Sequence, residues 1–175
     1  MQFDHYTIRL FEQTDAPAFF QLVEKNRPRL EDYFAGTVSK TKTLEDTEKY
    51  MQDNVKRIAE KEYLPFGVID MQTGQMIGFI DVKRIDWRIP KGEMGCFFDA
   101  DSTGKGLAKK ALSSVINHFF SAYGFNKLFL RTHESNTAAR ALAESCGFEK
   151  EGLIRKDHIT TSGKIIDLLY YGLIK

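Results

Sequence analysis

An α/β (α+β) architecture, a sheet with mostly local connections and helices laid against it, follows from three patterns in this sequence. Short apolar runs bounded by turn residues read as strands; the second half alternates strand, helix, strand, helix, strand; and the connections are brief. Tyr6–Leu10 alternates like a half-buried strand. Thr14 and Asp15 cap a short helix over Ala16–Val23, with Pro17 in a first turn that has no use for its missing N–H. Asn26 to Phe34 is less regular, and helix is expected there only after Pro28. Thr43 begins a longer helix, in which Leu44, Met51, Val55 and Ile58 recur at helical spacing and predict one buried face. Phe66–Asp70 and Met76–Ile85 flank Gln72-Thr73-Gly74-Gln75, a hairpin turn. Glu93–Asp99 is an apolar run too short for a helix. The strongest helix runs from about Gly106 to Tyr123, carries the apolar set Leu107, Ala108, Ala111, Leu112, Val115, Ile116, Phe119 and Phe120, and ends at Gly124 as a left-handed cap. Leu128–His133 reads as a strand, Asn136–Cys146 as an Ala-rich helix stopped by Gly147, and Ile165–Ile174 closes a hairpin across Thr161-Ser162-Gly163.

No repeat, Pro-rich linker or long charge run divides the 175 residues, so a single domain over 1–175 is expected. The charges nearly cancel, 25 Lys+Arg against 24 Asp+Glu, and so lack the basic excess of a nucleic-acid binder. Two cysteines, Cys96 and Cys146, are too few for a disulfide scaffold or a four-thiolate zinc site, and both read as free buried thiols in a reducing compartment. No apolar run approaches the ~20 residues of a membrane helix. The opening Met1-Gln2-Phe3-Asp4-His5 has no signal-peptide character, and a cytoplasmic location is expected. The histidines His5, His118 and His133 have no partner at metal-ligand spacing, so no metal is expected.

The most informative stretch is Phe97 to Lys110. An apolar strand, with Phe97 and Phe98 near its end, runs into Thr103-Gly104-Lys105-Gly106-Leu107-Ala108, and the Gly-x-Gly bend opens straight into the long helix. The first turn of a helix offers unpaired N–H groups and a partial positive charge, which together attract anions. Gly104 and Gly106 remove the side chains that would hold a phosphate off the backbone. Lys105, Lys109 and Lys110 place positive charge where the macrodipole disfavours it, a cost that a bound anion offsets. On glycine spacing alone, a plain capping turn fits equally well. A P-loop is excluded because Lys105 is followed by Gly106, and a dinucleotide fingerprint because Lys109 stands where a third small residue belongs.

These residues resemble the GNAT superfamily of N-acetyltransferases, whose pyrophosphate loop reads Gln/Arg-x-x-Gly-x-Gly/Ala; Gly106 and Ala108 match it and Thr103 departs from it. The resemblance is greatest to the Rim-type branch, which acetylates ribosomal-protein N-terminal alanine or serine, and it runs through nearly the whole chain. Ile8-Arg9-Leu10 with Asp15-Ala16, Asn26-Arg27-x-x-Leu30, Met76-Ile77-Gly78-Phe79-Ile80, Asn136-x-x-Ala139, Gly147-Phe148-x-x-Glu151-Gly152 and Asp167-x-x-Tyr170 carry it. It implies a mainly antiparallel mixed sheet with a splayed strand pair that holds the cofactor. It also implies acetyl-CoA as co-substrate without a metal, and a primary amine as acceptor, foremost a protein N-terminus. Nucleic acid and membrane are not expected partners, and the protein is expected as a monomer or homodimer. The pyrophosphate would lie on the amides of Gly104–Ala108, and the pantetheine arm along Glu93–Asp99, with an oxyanion donor near Phe98.

By the same resemblance Glu93 takes the amine proton, often through water; the alternative is a strand-end carboxylate in solvent. His158, six residues after Gly152, falls in a region where the branch can place a carboxylate beside the amine, work that an imidazole titrating near neutrality can also do; the alternative is an exposed hairpin histidine. Asn136 is implied as a partner of the pantetheine arm and is equally suited to cap its helix. Two family positions are altered: Ala139 stands for a Ser near the cofactor sulfur and Ala143 for the Tyr that protonates the thiolate. Those losses keep a non-catalytic acyl-CoA-binding module open. The acidic residues Glu31, Asp32, Glu45, Asp46 and Glu48 keep open a polyamine or aminoglycoside acceptor, unless they form a solvated helix surface. Of the aromatics Tyr33, Phe34, Trp87, Tyr170 and Tyr171, one or two are expected to line a substrate cleft.

Overall fold

The computed structural model describes Met1 to Lys175. Its strands are β1 (Gln2–Phe3), β2 (Tyr6–Leu10), β3 (Leu64–Asp70), β4 (Met76–Asp86), β5 (Lys91–Phe98), β6 (Lys127–Thr132), β7 (Glu149–Ile159) and β8 (Ile165–Ile174). They form one eight-stranded sheet in the order β1-β2-β3-β4-β5-β6-β8-β7. Every neighbouring pair is antiparallel except β5 and β6, the one place where a long crossover, here a helix, is required. The helices are α1 (Ala16–Leu30), α2 (Ala35–Lys40), α3 (Leu44–Ala59), α4 (Leu107–Ser121) and α5 (Thr137–Ser145).

Side-chain alternation along the strands divides the core in two. Met94 and Phe98 of β5 join Leu112, Val115, Phe119 and Leu128 under α4. Phe97 turns the other way and meets Phe19, Val23, Met51 and Phe79 beneath α1 and α3. The sheet is therefore covered on both faces, and a gap within it would be walled by helices on each side.

Three elements differ from the sequence expectation. Helix α1 does not end at Val23 but runs on through Pro28 to Leu30. Leu22, Val23, Asn26 and Leu30 are buried and hold this turn down, while the carbonyl that loses its N–H partner belongs to solvent-exposed Glu24. Helix α2 was not visible in the irregular stretch before Thr43; Arg27 of α1 reaches its end and donates to the carbonyls of Val38 and Thr41, at 3.3 and 2.6 Å. Helix α3 begins at Thr43 as expected, with the Thr43 hydroxyl accepting from the Asp46 N–H at 3.1 Å. Its buried face, however, is Thr47, Tyr50, Met51 and Asn54, and Leu44 and Val55 are exposed. The surface beneath α3 carries polar groups, and Tyr50 Oη pairs with Tyr63 Oη at 3.2 Å. The cysteines are also less enclosed than expected: both are free and half-buried against the α4 core.

Candidate active site

The parallel ladder between β5 and β6 consists of Lys91 with Lys127, Gly92 with Leu128 and Glu93 with Phe129. Beyond Glu93 the strands part, while β5 stays paired to β4 as far as Phe98 with Gly78. The facing edges of β5 and β6 thus turn unpaired backbone donors and acceptors into a gap, where a ligand can complete them. The gap is part of a cleft of about 1010 Å³ that runs from the Gly104–Gly106 bend, past Glu93, to the walls made by α1, α2 and α3.

At one end of the cleft lies the bend. Gly104 and Gly106 adopt φ of +79° and +70°, a left-handed backbone that glycine enters without steric cost, and a Cβ at either position would meet no atom within 4 Å. Helices α3 and α5 each have a side-chain cap, from Thr43 and Asn136, but α4 has none. None of the N–H groups from Gly104 to Lys109 donates to a protein acceptor, and the first amide bonded there is that of Lys110, to the Gly106 carbonyl. A run of open donors at a helix start is a seat for an anion. The strand side of the bend is anchored from α1: Lys25 Nζ lies 2.7 Å from Asp99 and 2.6 Å from Asp101, and Asn26 Oδ1 accepts from the Ala100 N–H at 3.1 Å. Thr103 spends its hydroxyl on the Ala100 carbonyl, at 2.8 Å, and so braces the turn.

Where β5 and β6 separate, buried charges converge. Glu93 is 5% exposed, which removes the alternative of a carboxylate in solvent. Arg131 Nε and Nη2 donate to its two oxygens at 3.2 and 3.3 Å, and Arg84 Nη1 lies 3.2 Å from Oε2. Arg131 Nη1 also donates to Asp157. Two bulges aim these groups. The β4–β5 register shifts after Lys83, with Arg84 at φ 50°, and the β7–β8 register shifts between Ile154 and His158, with Lys156 at φ 53°. Left-handed backbone at non-glycine residues is costly and is held here by contacts such as the Lys156 N–H to Asp167 Oδ1, 2.8 Å. The second bulge brings His158 to the cleft, half-buried, with Nε2 enclosed and lacking a hydrogen-bond partner. Desolvation and the Arg131 guanidinium push its pKa below the ordinary imidazole value against a smaller opposing pull from Asp157, so the ring is neutral at pH 7.

A second polar group lies across β5. Asp81, 4% exposed, receives Tyr63 Oη at 3.1 Å and Lys83 Nζ at 3.2 and 3.3 Å. Burial pushes its carboxyl up, and the Lys83 ammonium opposes that shift. Its register partner is Gly95, where a Cβ would stand 2.6 Å from Asp81 Oδ1; glycine is what lets the pair fit. The Cys96 thiol, also on the cleft wall, is pushed up to about 12 by burial, and so is no nucleophile near neutrality.

With this geometry in hand, comparison with known proteins is direct. Residues 5–149 match the family model described as an acetyltransferase (GNAT) domain. The chain belongs to the GNAT acetyltransferase family. Among curated relatives it is similar to YdaF of Bacillus subtilis (strain 168), provisionally named a ribosomal N-acetyltransferase, at 29% identity over 98% of this chain and 92% of that one. It is also similar to the ribosomal-protein-serine acetyltransferase of Escherichia coli (strain K12), at 24% identity over 85% and 86% of the two chains. Among solved structures the ribosomal-protein-S5-alanine acetyltransferase of Vibrio fischeri superposes with a TM-score of 0.88 at 22% identity, over 99% of this chain and 95% of that one. The ribosomal α-N-protein acetyltransferase RimL, solved with coenzyme A, gives 0.88 at 20% identity over 97% and 94%. The fold is thus the GNAT fold, and the protein is an acyltransferase of that family.

Of the residues expected at the site of this GNAT enzyme, all line the one cleft except Lys105, which points to solvent. Phe97 and Phe98 both line it, with their side chains in the two separate cores. Asn136 Oδ1 caps α5 through the Ala139 N–H, at 3.2 Å, and still faces the cleft. Tyr33 and Phe34 line it; Trp87 packs on Tyr123 and Phe125 instead, and Tyr171 is in the core. No group of three or more His, Cys, Asp or Glu gathers as metal ligands would, and no helix is long and apolar enough to cross a membrane. Sequence reasoning missed Asp81, Arg84, Arg131 and Asp157. A signal existed for two of them: Asp81 and Arg131 are charges inside apolar strand runs, Met76–Val82 and Leu128–Thr132, where only a partnered ion is tolerated. Arg84 and Asp157 depend on the bulges and had no sequence signal.

Proposed function

We propose that this enzyme acetylates the N-terminal α-amine of a protein, with acetyl-CoA as donor, by direct attack in a ternary complex. The observation that carries the proposal is the uncapped start of α4: the amides from Gly104 to Lys109 have no protein acceptor, and all of these residues but Lys105 line the same cleft as the β5–β6 gap. Open Cβ space at Gly104 and Gly106 leaves room for a pyrophosphate against those amides. The unpaired edge of β5 suits the amide groups of a pantetheine arm, and Asn136, which lines the same cleft, is our candidate partner for that arm. Acetyl-CoA, when bound, supplies a thioester-activated acetyl group.

His158, on the cleft wall, accepts the amine proton; burial and Arg131 lower its pKa and so favour the neutral ring that a base requires. Glu93 keeps Arg131 in place beside it; with both oxygens spanned by guanidinium groups, it acts on the amine only through water or through that arrangement. A single modest base suits an α-amine. With a pKa of ~7.7–8.0 a quarter or so is already neutral near pH 7.4, whereas a Lys ε-amine at ~10.4 is neutral in about one molecule per thousand, a cost of ~4 kcal/mol. Cys96 forms no acyl intermediate, because its thiol stays protonated. The names of the ribosomal-protein acetyltransferase relatives favour the same acceptor class. Incubating lysate with isotope-labelled acetyl-CoA and the enzyme, then reading acetylated products by mass spectrometry, tests the proposal. Label on protein N-termini is expected; label confined to lysine side chains or small amines refutes it.

A further inference from the structure

Charge is unevenly spread over the acceptor half of the cleft. Two of its three lining carboxylates are already matched, Asp81 by Lys83 and Glu93 by Arg131 and Arg84. Arg29, Lys40 and Arg57 line the same half from the ends of α1, α2 and α3, and none of the three has a carboxylate partner. Arg29 reaches only Asn26 Oδ1, at 3.1 Å, and Arg57 lies over the Tyr63 ring at 4.5 Å. Six Lys and Arg minus three Asp and Glu (Asp32 being the third) leaves +3 on this wall, and adding Asp157 behind Arg131 still leaves +2, in a chain whose whole net charge is +1. Of the acidic residues that kept a polycation acceptor open, only Asp32 lines the cleft; Asp46 lines the neighbouring groove between α2 and α3, and Glu45 is engaged by Lys49 on the outer face of α3.

A cationic wall acts on an amine in two ways. It disfavours the ammonium form, so that the nitrogen enters as the free base that attack requires. It also attracts negative charge elsewhere on the same molecule and repels a polyamine. Lys40, Tyr50 and Arg57 also line a second groove of about 580 Å³ between α2 and α3, where Asp46, Asp53 and Glu60 nearly balance Lys40, Lys49, Lys56 and Arg57, so the positive excess belongs to the cleft and not to that groove.

We infer that the acceptor is an anionic amine: a primary amine bearing carboxylate or phosphate groups beyond the reacting nitrogen, received by Arg29, Lys40 and Arg57. The inference rests on the acetyl-transfer reading and narrows its substrate class. It is tested with the full chain by thiol release from acetyl-CoA, using peptides of one length and one N-terminal residue followed by Asp/Glu, Ala or Lys, together with spermidine and phosphoethanolamine. At 50 mM salt the acidic peptide or phosphoethanolamine is expected to exceed the Ala peptide at least tenfold in kcat/KM, and to lose most of that advantage at 300 mM. The more reactive of those two anionic acceptors tells an acidic N-terminus from a small phosphate-bearing amine. Lys40→Glu, at an exposed position, should erase the preference while the KM for acetyl-CoA stays constant. Equal or faster turnover of the Ala or Lys peptide or of spermidine, or a preference blind to salt, overturns the inference and leaves acetyl transfer standing. Calorimetric binding of the acidic peptide without any turnover keeps the inference and removes the transfer reading; neither binding nor turnover removes both.

Discussion

Gly106→Glu separates the amide seat from the rest of the fold. Gly106 sits at φ +70° with no atom within 4 Å of a prospective Cβ, so the substitution strains the backbone without a clash. A side chain in left-handed backbone costs about 1–2 kcal/mol, which in a chain of this size lowers Tm by roughly 2–8 °C. The effect on ligand binding is much larger. The new side chain stands in the cleft over the first amides of α4, which no protein group satisfies. Excluding two charge-assisted N–H to phosphate bonds, each worth ~1.5–3 kcal/mol, removes about 3–6 kcal/mol. That corresponds to a rise in Kd for coenzyme A of roughly 10²–10⁴-fold, before any repulsion between carboxylate and phosphate. Titration calorimetry gives the Kd, and a circular-dichroism melt confirms the fold. A folded variant that binds coenzyme A within threefold of the native protein would show that the anion does not rest there.

His158→Ala should lower kcat/KM by about 10²–10³-fold without changing the Kd of acetyl-CoA. Because burial and Arg131 depress the His158 pKa, the acid limb of the native kcat/KM profile should lie below the ~6.5 of a free imidazole. Asp157→Asn removes the carboxylate that partly restores that pKa, so the limb should move further toward acid; a shift toward alkali would contradict the assignment. Arg131→Met leaves Glu93 without its bidentate partner and frees Asp157, and thermal unfolding should show about 3–5 kcal/mol lost, roughly 6–20 °C in Tm. Cys96, with its thiol near 12, has ~10⁻⁴ of its population as thiolate at pH 8, so peptide mapping should find it unlabelled by iodoacetamide until denaturant is added.

Legibility varied with the range of the interaction. The hairpin turn at Gln72–Gln75, the capped start of α3 at Thr43 and the apolar stripe of α4 are local, and the structure has each within a residue or two of the expectation. Helix α1 was cut short because Pro28 carries a local penalty, and what overrides it is the burial of Asn26 and Leu30 against elements distant in sequence. The face of α3 was misjudged for the same kind of reason: spacing found four apolar residues, but the surface beneath selects Thr47, Tyr50 and Asn54. At the site, the bend from Gly104 to Gly106 was readable because helix-start chemistry is written in consecutive residues. The partners of Glu93 were not, since Arg84, Arg131 and Asp157 arrive on three other strands and two of them depend on bulges.

Taken alone, the chain determined a sheet with a glycine bend before its longest helix, because backbone conformation and the donors of a first helical turn are set by neighbours within a few residues. Only the folded molecule decided that β5 and β6 part after Glu93, that His158 stands enclosed with a free nitrogen, and that uncompensated Arg29, Lys40 and Arg57 share one wall. Desolvation and Coulomb coupling depend on distances in space, and those distances exist only once strands far apart in sequence have met.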